Sequence, residues 1–495
     1  MRVLGSIVLA ILALWHALAS TSGPTKPTRM PLRRCVDLNI GEQRVVELSN
    51  GTKVRVKLLG LEESRDSVLN AVREAHVQVE INGRVAILNS ALYHLPARVG
   101  PVRIDCPITR GPTKNSHIDH WALEKDARLR LWPADSPLLA PDTFVYPVKQ
   151  RWFAATTCMA NEPVSPRPHG KLYYHAGLDI GGAEGLVEVV AATDGLVVSS
   201  GEKVLAGYER TPVRPRYDVV YVLDDRGWYY RYSHLQIIAV DVLPGRRVKR
   251  GQTIGRLGKE GPSGGWAHLH FEIKSRQPSG RWGTEEAYAF LWEAYQRQYK
   301  PKLIAVARPR QHAFVGEKVV LDGSRSWSAE GRIVRYEWIL SDGSRATSPR
   351  TVHTYTQPGC YSEVLKVTDA AGRVDYDSTF VIVLGRSEPD HWPPVLDAAY
   401  FPTWDIKPGD PVIFLARAFR MSAGRERWDF GDGSPPVFTR SDGCLKPHNK
   451  EGYVRLVHRF RKSGHYLVRI ERTNEQGVKA SAHLHVTVEK RGGTW

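Results

Sequence analysis

The sequence predicts a mainly β, multidomain protein. The chain has 495 residues, which is too long for a single hydrophobic core. Its 43 glycines, 32 prolines, 14 tryptophans and 20 tyrosines are typical of β-rich modules. Asn-Gly pairs between alternating apolar runs, and period-two runs such as residues 466–470, favour strands over helices. We therefore expect several small β domains in succession.

The first 19 residues are predicted to be a secretory signal peptide. Arg2 precedes an apolar run at residues 7–14, and Ala17-Leu18-Ala19 supplies a small-x-small cleavage pattern. The run is too short to span a membrane, and a retained N-terminal anchor is the alternative. We expect a secreted protein, periplasmic or extracellular, with no transmembrane segment after cleavage. Its five cysteines leave one over; Cys35 and Cys106 could pair, but the connectivity stays open.

Residues 30–135 are predicted to form an N-terminal β-rich domain. Asn50-Gly51 and Asn82-Gly83 each separate two alternating runs, which is the strongest local signal for a hairpin. The role of this domain is open between packing on the next module and binding substrate. One of its loops contains three residues with metal-binding side chains, His117, Asp119 and His120. We do not expect a metal site there, because no further ligand pattern supports one and loops carry such residues routinely.

Residues 144–283 are predicted to be the catalytic domain. One stretch contains His175 and Asp179, and another reads His268-Leu269-His270-Phe271-Glu272. The flanking residues favour strands, and side chains an even number of residues apart along a strand share a face. His268 and His270 therefore point the same way, and His175 and Asp179 can do so. Paired imidazoles and an imidazole–carboxylate pair are the ligands that zinc prefers.

Four motifs in order give this domain a family resemblance. His-x-x-x-Asp, Tyr-Ser-His-Leu, Gly-Gln-x-Ile-Gly and His-Leu-His-Phe-Glu together resemble the lysostaphin-type zinc metallopeptidases. The resemblance implies an antiparallel β fold with a groove, called the duplicated hybrid motif, one Zn²⁺ ion, and endopeptidase action on peptidoglycan peptides. It implies zinc ligation by His175, Asp179 and His270, and catalytic roles for His234 and His268.

The expected chemistry agrees with this ligand set. Three protein ligands leave one coordination position for water, as catalytic zinc sites do. Zinc lowers the pKa of that water toward about 7. Because the chain has no His-Glu-x-x-His motif, His234 and His268 are expected to move the proton and to help stabilise the oxyanion.

Several positions depart from the family pattern and leave the substrate open. Residues 156–161 and the long basic loop at residues 204–216 differ from the usual segments that approach the site. Trp266, just before the first histidine of the His-x-His motif, could stack on substrate or pack in the groove wall. Cys158 is considered as a fourth zinc ligand. His483-Leu484-His485 has the same spacing but lacks a His-x-x-x-Asp partner, so we interpret it as one face of a strand.

The C-terminal part is predicted to contain a helix and two sandwiches. Residues 284–301 form a helical linker, in which Glu285 and Glu286 occupy the first turn and an aromatic stripe packs on a neighbour. Residues 302–386 and 390–490 resemble polycystic-kidney-disease (PKD) domains, which are immunoglobulin-like sandwiches. The resemblance rests on Trp428-Asp429-Phe430-Gly431-Asp432-Gly433 and on a degenerate version at residues 338–344.

The formal charge of +17 is consistent with anionic envelope polymers as partners and equally with a solvated basic surface that serves solubility. Nucleic acid is not expected, because the basic residues are spread over every segment without a recognition motif. The predicted function is a secreted zinc metalloendopeptidase (hydrolase) that cuts peptide bonds of cell-wall peptidoglycan. Two alternatives remain: an extracellular protease acting on proteins, and a non-catalytic cell-wall-binding or amidase-activating scaffold.

Overall fold

A computed structural model describes residues 26–160, 162–165, 171–389, 391–444 and 446–490, without the side chains of residues 158–160. The predicted signal peptide lies outside the described residues. The structure is almost entirely β, as the sequence predicts. Within the described ranges, no helix has the length and apolar character needed to cross a membrane.

The N-terminal unit consists of two four-stranded sheets around one core. The sheet orders are β1-β8-β7-β6 and β2-β3-β4-β5, and both predicted Asn-Gly hairpins are present, joining β2 to β3 and β4 to β5. The elements are β1 (Arg34–Leu38), β2 (Gln43–Glu47), β3 (Lys53–Arg65), β4 (Val72–Ile81), β5 (Arg84–Ala91), β6 (Ala97–Val99), β7 (Val102–Thr109), α1 (Arg110–Asn115) and β8 (Ala127–Pro133).

The cysteine pairing considered for this unit is not formed. Cys35 and Cys106 are free thiols, as are Cys360 and Cys444. Cys106 is buried among the apolar side chains of the core. Packing rather than a covalent bridge therefore stabilises this unit.

The central unit is built on a nine-stranded sheet with the path β15-β14-β16-β17-β21-β12-β9, to which β19 is added by pairing with β14 and β22 by pairing with β21. A separate three-stranded sheet has the order β13-β20-β18. Its strands are β9 (Cys158–Ala160), β10 (Pro163–Val164), β11 (Tyr173–Tyr174), β12 (Leu178–Gly181), β13 (Glu188–Val190), β14 (Gly195–Ser200), β15 (Lys203–Val204), β16 (Val220–Leu223), β17 (Tyr229–Ser233), β18 (Leu235–Ile238), β19 (Arg247–Val248), β20 (Thr253–Leu257), β21 (His268–Arg276) and β22 (Trp282–Glu285).

The linker helix begins later than predicted. Helix α2 spans Tyr288–Tyr299, whereas Thr284 and Glu285 belong to β22, which pairs with β21. Glu285 is buried and forms an ion pair with Arg33 of the N-terminal unit, so a partner far along the chain determines its position. The expected aromatic stripe is confirmed, since Tyr288, Leu291, Trp292 and Tyr295 all lie in the large central core.

Two sandwiches follow, and they share one nine-stranded sheet with the path β24-β31-β30-β38-β37-β34-β35, to which β27 is added by pairing with β30 and β28 by pairing with β27. The strands are β23 (Leu303–Ile304), β24 (Gln311–Phe314), β25 (Lys318–Asp322), β26 (Trp327–Ser328), β27 (Ile333–Ile339), β28 (Arg345–Ala346), β29 (Arg350–Thr354), β30 (Gly359–Asp369), β31 (Val374–Leu384), β32 (Val395–Phe401), β33 (Val412–Phe419), β34 (Glu426–Asp429), β35 (Val437–Thr439), β36 (Val454–His458), β37 (Gly464–Thr473) and β38 (Lys479–Val488).

The second sandwich folds back onto the central unit. Ala155 and Ala399 form an isolated β-bridge, and the Thr156 backbone N–H donates to the Ala398 carbonyl at 3.0 Å. Thr156 Oγ1 also donates to the buried Asp397 carboxylate at 2.9 Å. The segment that leads into β9, which lies beside the candidate site, is thus held by the C-terminal part of the chain.

Candidate metal centre

Two paired strands and one turn bring the three predicted ligands together. β12 and β21 run antiparallel with Asp179 directly opposite His270. His175 precedes β12, and its backbone N–H donates to the Glu162 carbonyl at 2.9 Å. Gly177 makes the turn between them with φ +101°, where an added Cβ would lie 2.5 Å from the Phe271 carbonyl oxygen. Only glycine fits there without movement of the β21 backbone.

The three ligand atoms form a nearly equilateral triangle. His175 Nε2 lies 2.9 Å from His270 Nδ1 and 3.1 Å from Asp179 Oδ1, and His270 Nδ1 lies 3.0 Å from the same oxygen. Zinc bonds of about 2.0–2.1 Å place neighbouring ligand atoms of a tetrahedron about 3.3 Å apart, close to the observed spacing. Two ring nitrogens that face each other and one carboxylate oxygen are a set that a cation satisfies. The residues present therefore fit a zinc ion.

The remaining ring nitrogens of the two ligand histidines are His175 Nδ1 and His270 Nε2. Both are buried, and neither has a hydrogen-bond partner within the described part of the chain. The other nitrogen of each ring, His175 Nε2 or His270 Nδ1, is directed to the same point as the Asp179 carboxylate. A convergent donor set of this kind, with two histidines and one carboxylate, is typical of catalytic zinc sites.

The two predicted catalytic histidines lie beside the ligands. The rings of His234 and His268 are 4.7 Å apart, and the rings of His234 and His270 are 6.0 Å apart. His268 Nε2 lies 3.4 Å from Asp179 Oδ1, while its Nδ1 lies 3.0 Å from the Trp266 carbonyl oxygen. His234 Nδ1 lies 2.6 Å from the Glu260 carbonyl oxygen. Both histidines therefore have Nδ1 placed to donate to the backbone, which leaves Nε2 for chemistry.

Burial and charge give the two histidines opposite character. Burial lowers the pKa of His234 to about 4, so its imidazole is neutral near pH 7. Burial also acts on His268, but the Asp179 carboxylate outweighs it and raises the pKa of His268. The pKa of Asp179 lies well below its usual range, because His175 and His268 outweigh the opposing effect of burial. Burial lowers the pKa of His270 to about 3, and a neutral imidazole is the form that binds metal.

Asp218 and Arg216 also contribute to the site and were missed from the sequence. Asp218 Oδ2 accepts the His234 backbone N–H at 2.9 Å, and Arg216 Nη2 donates to the same carboxylate oxygen at 2.6 Å. His234 has φ +67°, a left-handed conformation that is rare for histidine and that Asp218 supports here. The sequence signal is only Arg216-Tyr217-Asp218 ahead of a strand, which is too common to single out.

A loop before the His-x-His motif is fixed by the second sandwich. Trp266 stacks on Phe419 with ring centroids 3.7 Å apart and planes 8° apart, so of its two expected roles the structure has the packing one. The Ala267 backbone N–H donates to the Tyr453 hydroxyl at 2.8 Å. Arg417, which is fully buried, donates to the Gly265 carbonyl at 2.8 Å.

The other sequence candidates are not part of this ligand group. His117 Nδ1 lies 2.8 Å from the Leu172 carbonyl oxygen, and Asp119 accepts from the Ala122 backbone N–H and from Arg281. His483 and His485 lie on β38, where they contact Ser362 and Asp375 of the first sandwich. Among the described residues, the only group with metal-binding spacing is His175, Asp179 and His270. The side chain of Cys158 lies outside the described atoms.

Comparison with known proteins assigns three segments of the chain to families. Residues 173–280 match the model for peptidase family M23 and include all five histidine and aspartate residues of the centre. Residues 301–384 and 405–488 each match a model for PKD domains.

The chain matches only a small part of the length of each of two curated relatives. The chain is 30% identical over 95 residues to collagenase ColA of Clostridium perfringens, which is 18% of this chain and 9% of that protein. It is 30% identical over 110 residues to a microbial collagenase of Vibrio alginolyticus, which is 20% of this chain and 13% of that protein.

Among solved structures, the chain is similar to the catalytic domain of the M23 protein EnpA from Enterococcus faecalis. The identity is 20%, the TM-score is 0.20, and the match covers 27% of this chain and 87% of that chain. It is also similar to a PKD domain of the Vibrio cholerae metalloprotease PrtV, at 28% identity and a TM-score of 0.14, over 17% of this chain and 95% of that chain. The family match supports a metal-dependent peptidase, and the chain contains a peptidase family M23 domain followed by two PKD domains.

Proposed function

We propose that the protein is an exported zinc endopeptidase that hydrolyses peptide bonds of bacterial peptidoglycan. The observation that carries the proposal is the convergence of His175 Nε2, Asp179 Oδ1 and His270 Nδ1 beside His234 and His268. When bound, zinc supplies Lewis acidity that acidifies water and polarises the scissile carbonyl. His175, Asp179 and His270, whose side chains are largely buried, would hold it.

The two remaining histidines divide the proton transfer. His234, neutral and with Nδ1 placed to donate to the Glu260 carbonyl, presents Nε2 as the base that takes a proton from water. His268 has a raised pKa and a hydrogen bond from Nδ1 to the Trp266 carbonyl, so its Nε2–H donates to the departing amine and to the oxyanion. Asp218 and Arg216 keep His234 in its strained position.

Export is proposed from the sequence of residues 1–19, with the +17 charge favouring retention at anionic envelope polymers. A second substrate class, extracellular protein, is suggested by the similarity to the two collagenases. The two classes differ in the polymer that is cut, so one digestion experiment separates them.

The test is digestion by the zinc-loaded full-length protein of purified peptidoglycan and, in parallel, of gelatin. We expect soluble peptide fragments from peptidoglycan, identified by mass, and none from His270→Ala. His76→Ala changes an exposed histidine of the N-terminal unit and serves as the matched control with full activity. Release from gelatin alone would favour the protein substrate, and release from neither polymer would favour a non-catalytic scaffold.

A further inference from the structure

Four basic side chains from three domains meet near the metal centre. Arg73 lies on β4 of the N-terminal unit, Arg310 and His312 lie at the start of the first PKD domain, and Arg420 follows β33 of the second. We call Arg73, Arg310, His312 and Arg420 the basic cleft. Arg73 and Arg420 each lie more than a hundred residues from Arg310 and His312, so the four come together only because the chain folds back on itself.

Contacts around His312 define the basic cleft. Arg73 Nη2 lies 2.7 Å from His312 Nδ1, and the His312 ring meets the Trp392 ring edge-to-face at 5.4 Å. Arg420 Nε donates to the carbonyl oxygen of Pro393, the residue after Trp392, at 2.9 Å. Burial and the charges of Arg73, Arg310 and Arg420 hold the pKa of His312 well below its usual range. The imidazole is therefore neutral, and the three guanidinium groups carry the positive charge.

The carboxylates nearby do not balance this charge. Asp66 pairs with Arg73 at 2.7 Å and Glu162 pairs with Arg310 at 2.6 Å. No carboxylate within the described ranges contacts Arg420, whose side chain is exposed. The basic cleft thus presents more guanidinium groups than the described acids neutralise.

Two buried donors around His312 are also left over. Arg73 Nη1 and Trp392 Nε1 are both buried, and neither has a hydrogen-bond partner in the part of the chain that the structure describes. Buried donors in folded proteins nearly always have an acceptor, and leaving one unpaired costs about 1–3 kcal/mol. An acceptor with negative charge would satisfy both the donors and the excess of positive charge.

The basic cleft is linked to the metal centre through Glu162. The Glu162 carboxylate binds Arg310, and its backbone carbonyl accepts the His175 N–H at 2.9 Å. Residue 162 therefore contacts both the basic cleft and the backbone of a proposed metal ligand.

We propose that the basic cleft binds a carboxylate group of the peptide substrate next to the scissile bond. Guanidinium groups match the planar geometry of a carboxylate and bind it with paired, charge-assisted hydrogen bonds. The accessory domains then take part in substrate selection, because Arg73 belongs to the N-terminal unit and Arg420 to the second PKD domain. This inference rests on the proposed peptidase function and specifies its substrate as an acidic peptide.

The test compares peptide fragments of purified peptidoglycan before and after conversion of their free carboxylates to carboxamides. Binding is measured by calorimetry with the full-length, zinc-loaded protein carrying His268→Ala, so that the fragments stay intact. We expect the native fragments to bind at least about tenfold more tightly than the amidated ones. Arg420→Gln should reduce that preference to about threefold or less.

Two further variants serve as controls for Arg420→Gln. Arg461→Gln removes another exposed arginine of the second PKD domain and should keep the full preference. Arg420→Lys retains the charge and should keep a preference intermediate between those of the parent and Arg420→Gln. Equal binding of native and amidated fragments by the parent, or equal effects of Arg420→Gln and Arg461→Gln, would overturn the proposal.

Hydrolysis of the same fragments by the otherwise unchanged protein separates this inference from the proposed function. Cleavage without a carboxylate preference would contradict the basic cleft alone. A carboxylate preference without any cleavage would contradict the peptidase function alone.

Discussion

Trp266 of the peptidase domain lies flat against Phe419 of the second PKD domain, with ring centroids 3.7 Å apart. Trp266 is two residues before His268, and its carbonyl oxygen lies 3.0 Å from His268 Nδ1. The second PKD domain therefore supports the backbone that orients a proposed catalytic histidine. The second PKD domain thus helps to hold the candidate site in shape.

Tyr453→Phe should weaken this support. The Tyr453 hydroxyl accepts the Ala267 N–H at 2.8 Å and donates to Asp397 Oδ2 at 2.6 Å, so its loss leaves both groups unpaired. We expect a stability loss of about 1–3 kcal/mol and a fall in kcat/KM with bound zinc unchanged. Tyr466→Phe is the control, because its exposed hydroxyl only donates to the Lys462 carbonyl in the same domain. Equal melting temperatures and rates for the two variants would contradict the support by Tyr453.

Alanine substitutions should separate ligands from proton-transfer residues. His175→Ala, Asp179→Ala and His270→Ala each remove one of three ligand atoms, so zinc affinity should fall at least about tenfold. His234→Ala and His268→Ala should retain zinc and lose hydrolysis, because neither residue belongs to the ligand triangle. Zinc content by mass spectrometry of the metal, measured beside activity, checks this. Full zinc content in Asp179→Ala would exclude the proposed ligand set.

Chelation should lower the melting temperature of the protein. An ion that binds only the folded state stabilises it by about 2.7 kcal/mol at one hundred times its dissociation constant. Thermal unfolding after treatment with a chelator should therefore occur at lower temperature and recover when zinc is added. His270→Ala should show no zinc-dependent shift, and His76→Ala should show the full shift, since His76 is exposed and distant in sequence from the ligands. A zinc-dependent shift that survives in His270→Ala would place the stabilising ion elsewhere.

The interface of the two PKD domains should be sensitive to acid through His485. Burial, with the nearby Arg151, lowers the pKa of His485 to about 4, although Asp375 lies 3.1 Å from its Nδ1. The unfolded imidazole has a pKa of about 6.5, so between these values the unfolded state binds more protons. Stability should therefore decrease as the pH falls from about 6.5 toward 4, by about 1–2 kcal/mol between pH 7 and pH 5.

The measurement is the melting temperature at pH 7 and pH 5 for the wild type and His485→Gln. The variant should lose part of the pH-dependent decrease, because glutamine does not titrate in this range. His76→Gln changes an exposed histidine and should leave the decrease unchanged. An identical decrease in all three proteins would show that His485 is not responsible.

Local signals predicted most of the metal centre, because its ligands lie on short, regular segments. Asp179 and His270 are opposite each other on paired strands, and the alternation of Phe271 and Ile273 with polar neighbours indicates the second of these strands from sequence alone. The Asn-Gly hairpins were predictable for the same reason. In each case the physical cause acts over a few residues.

Contacts between residues far apart in the sequence determined the features of the fold and of the site that were not predicted. Glu285 resembles a helix-start residue, but its ion pair with Arg33, 252 residues away, places it in β22 instead. Asp218 and Tyr453 support the site through single hydrogen bonds whose partners lie 16 and 186 residues away. No periodicity or spacing marks such residues, because their role depends on how separate domains pack.

The pairing of β30 with β38 gives the two PKD domains a fixed relative position. The strands run parallel, with Cys360 beside Ala480, and Ser481 Oγ accepts the Ser362 N–H at 3.2 Å. Two domains joined by a flexible linker could extend toward distant targets, but these two domains cannot separate without breaking the pairing of β30 with β38. On the proposed function, the pair therefore gives the peptidase site one constant reach instead of an adjustable one.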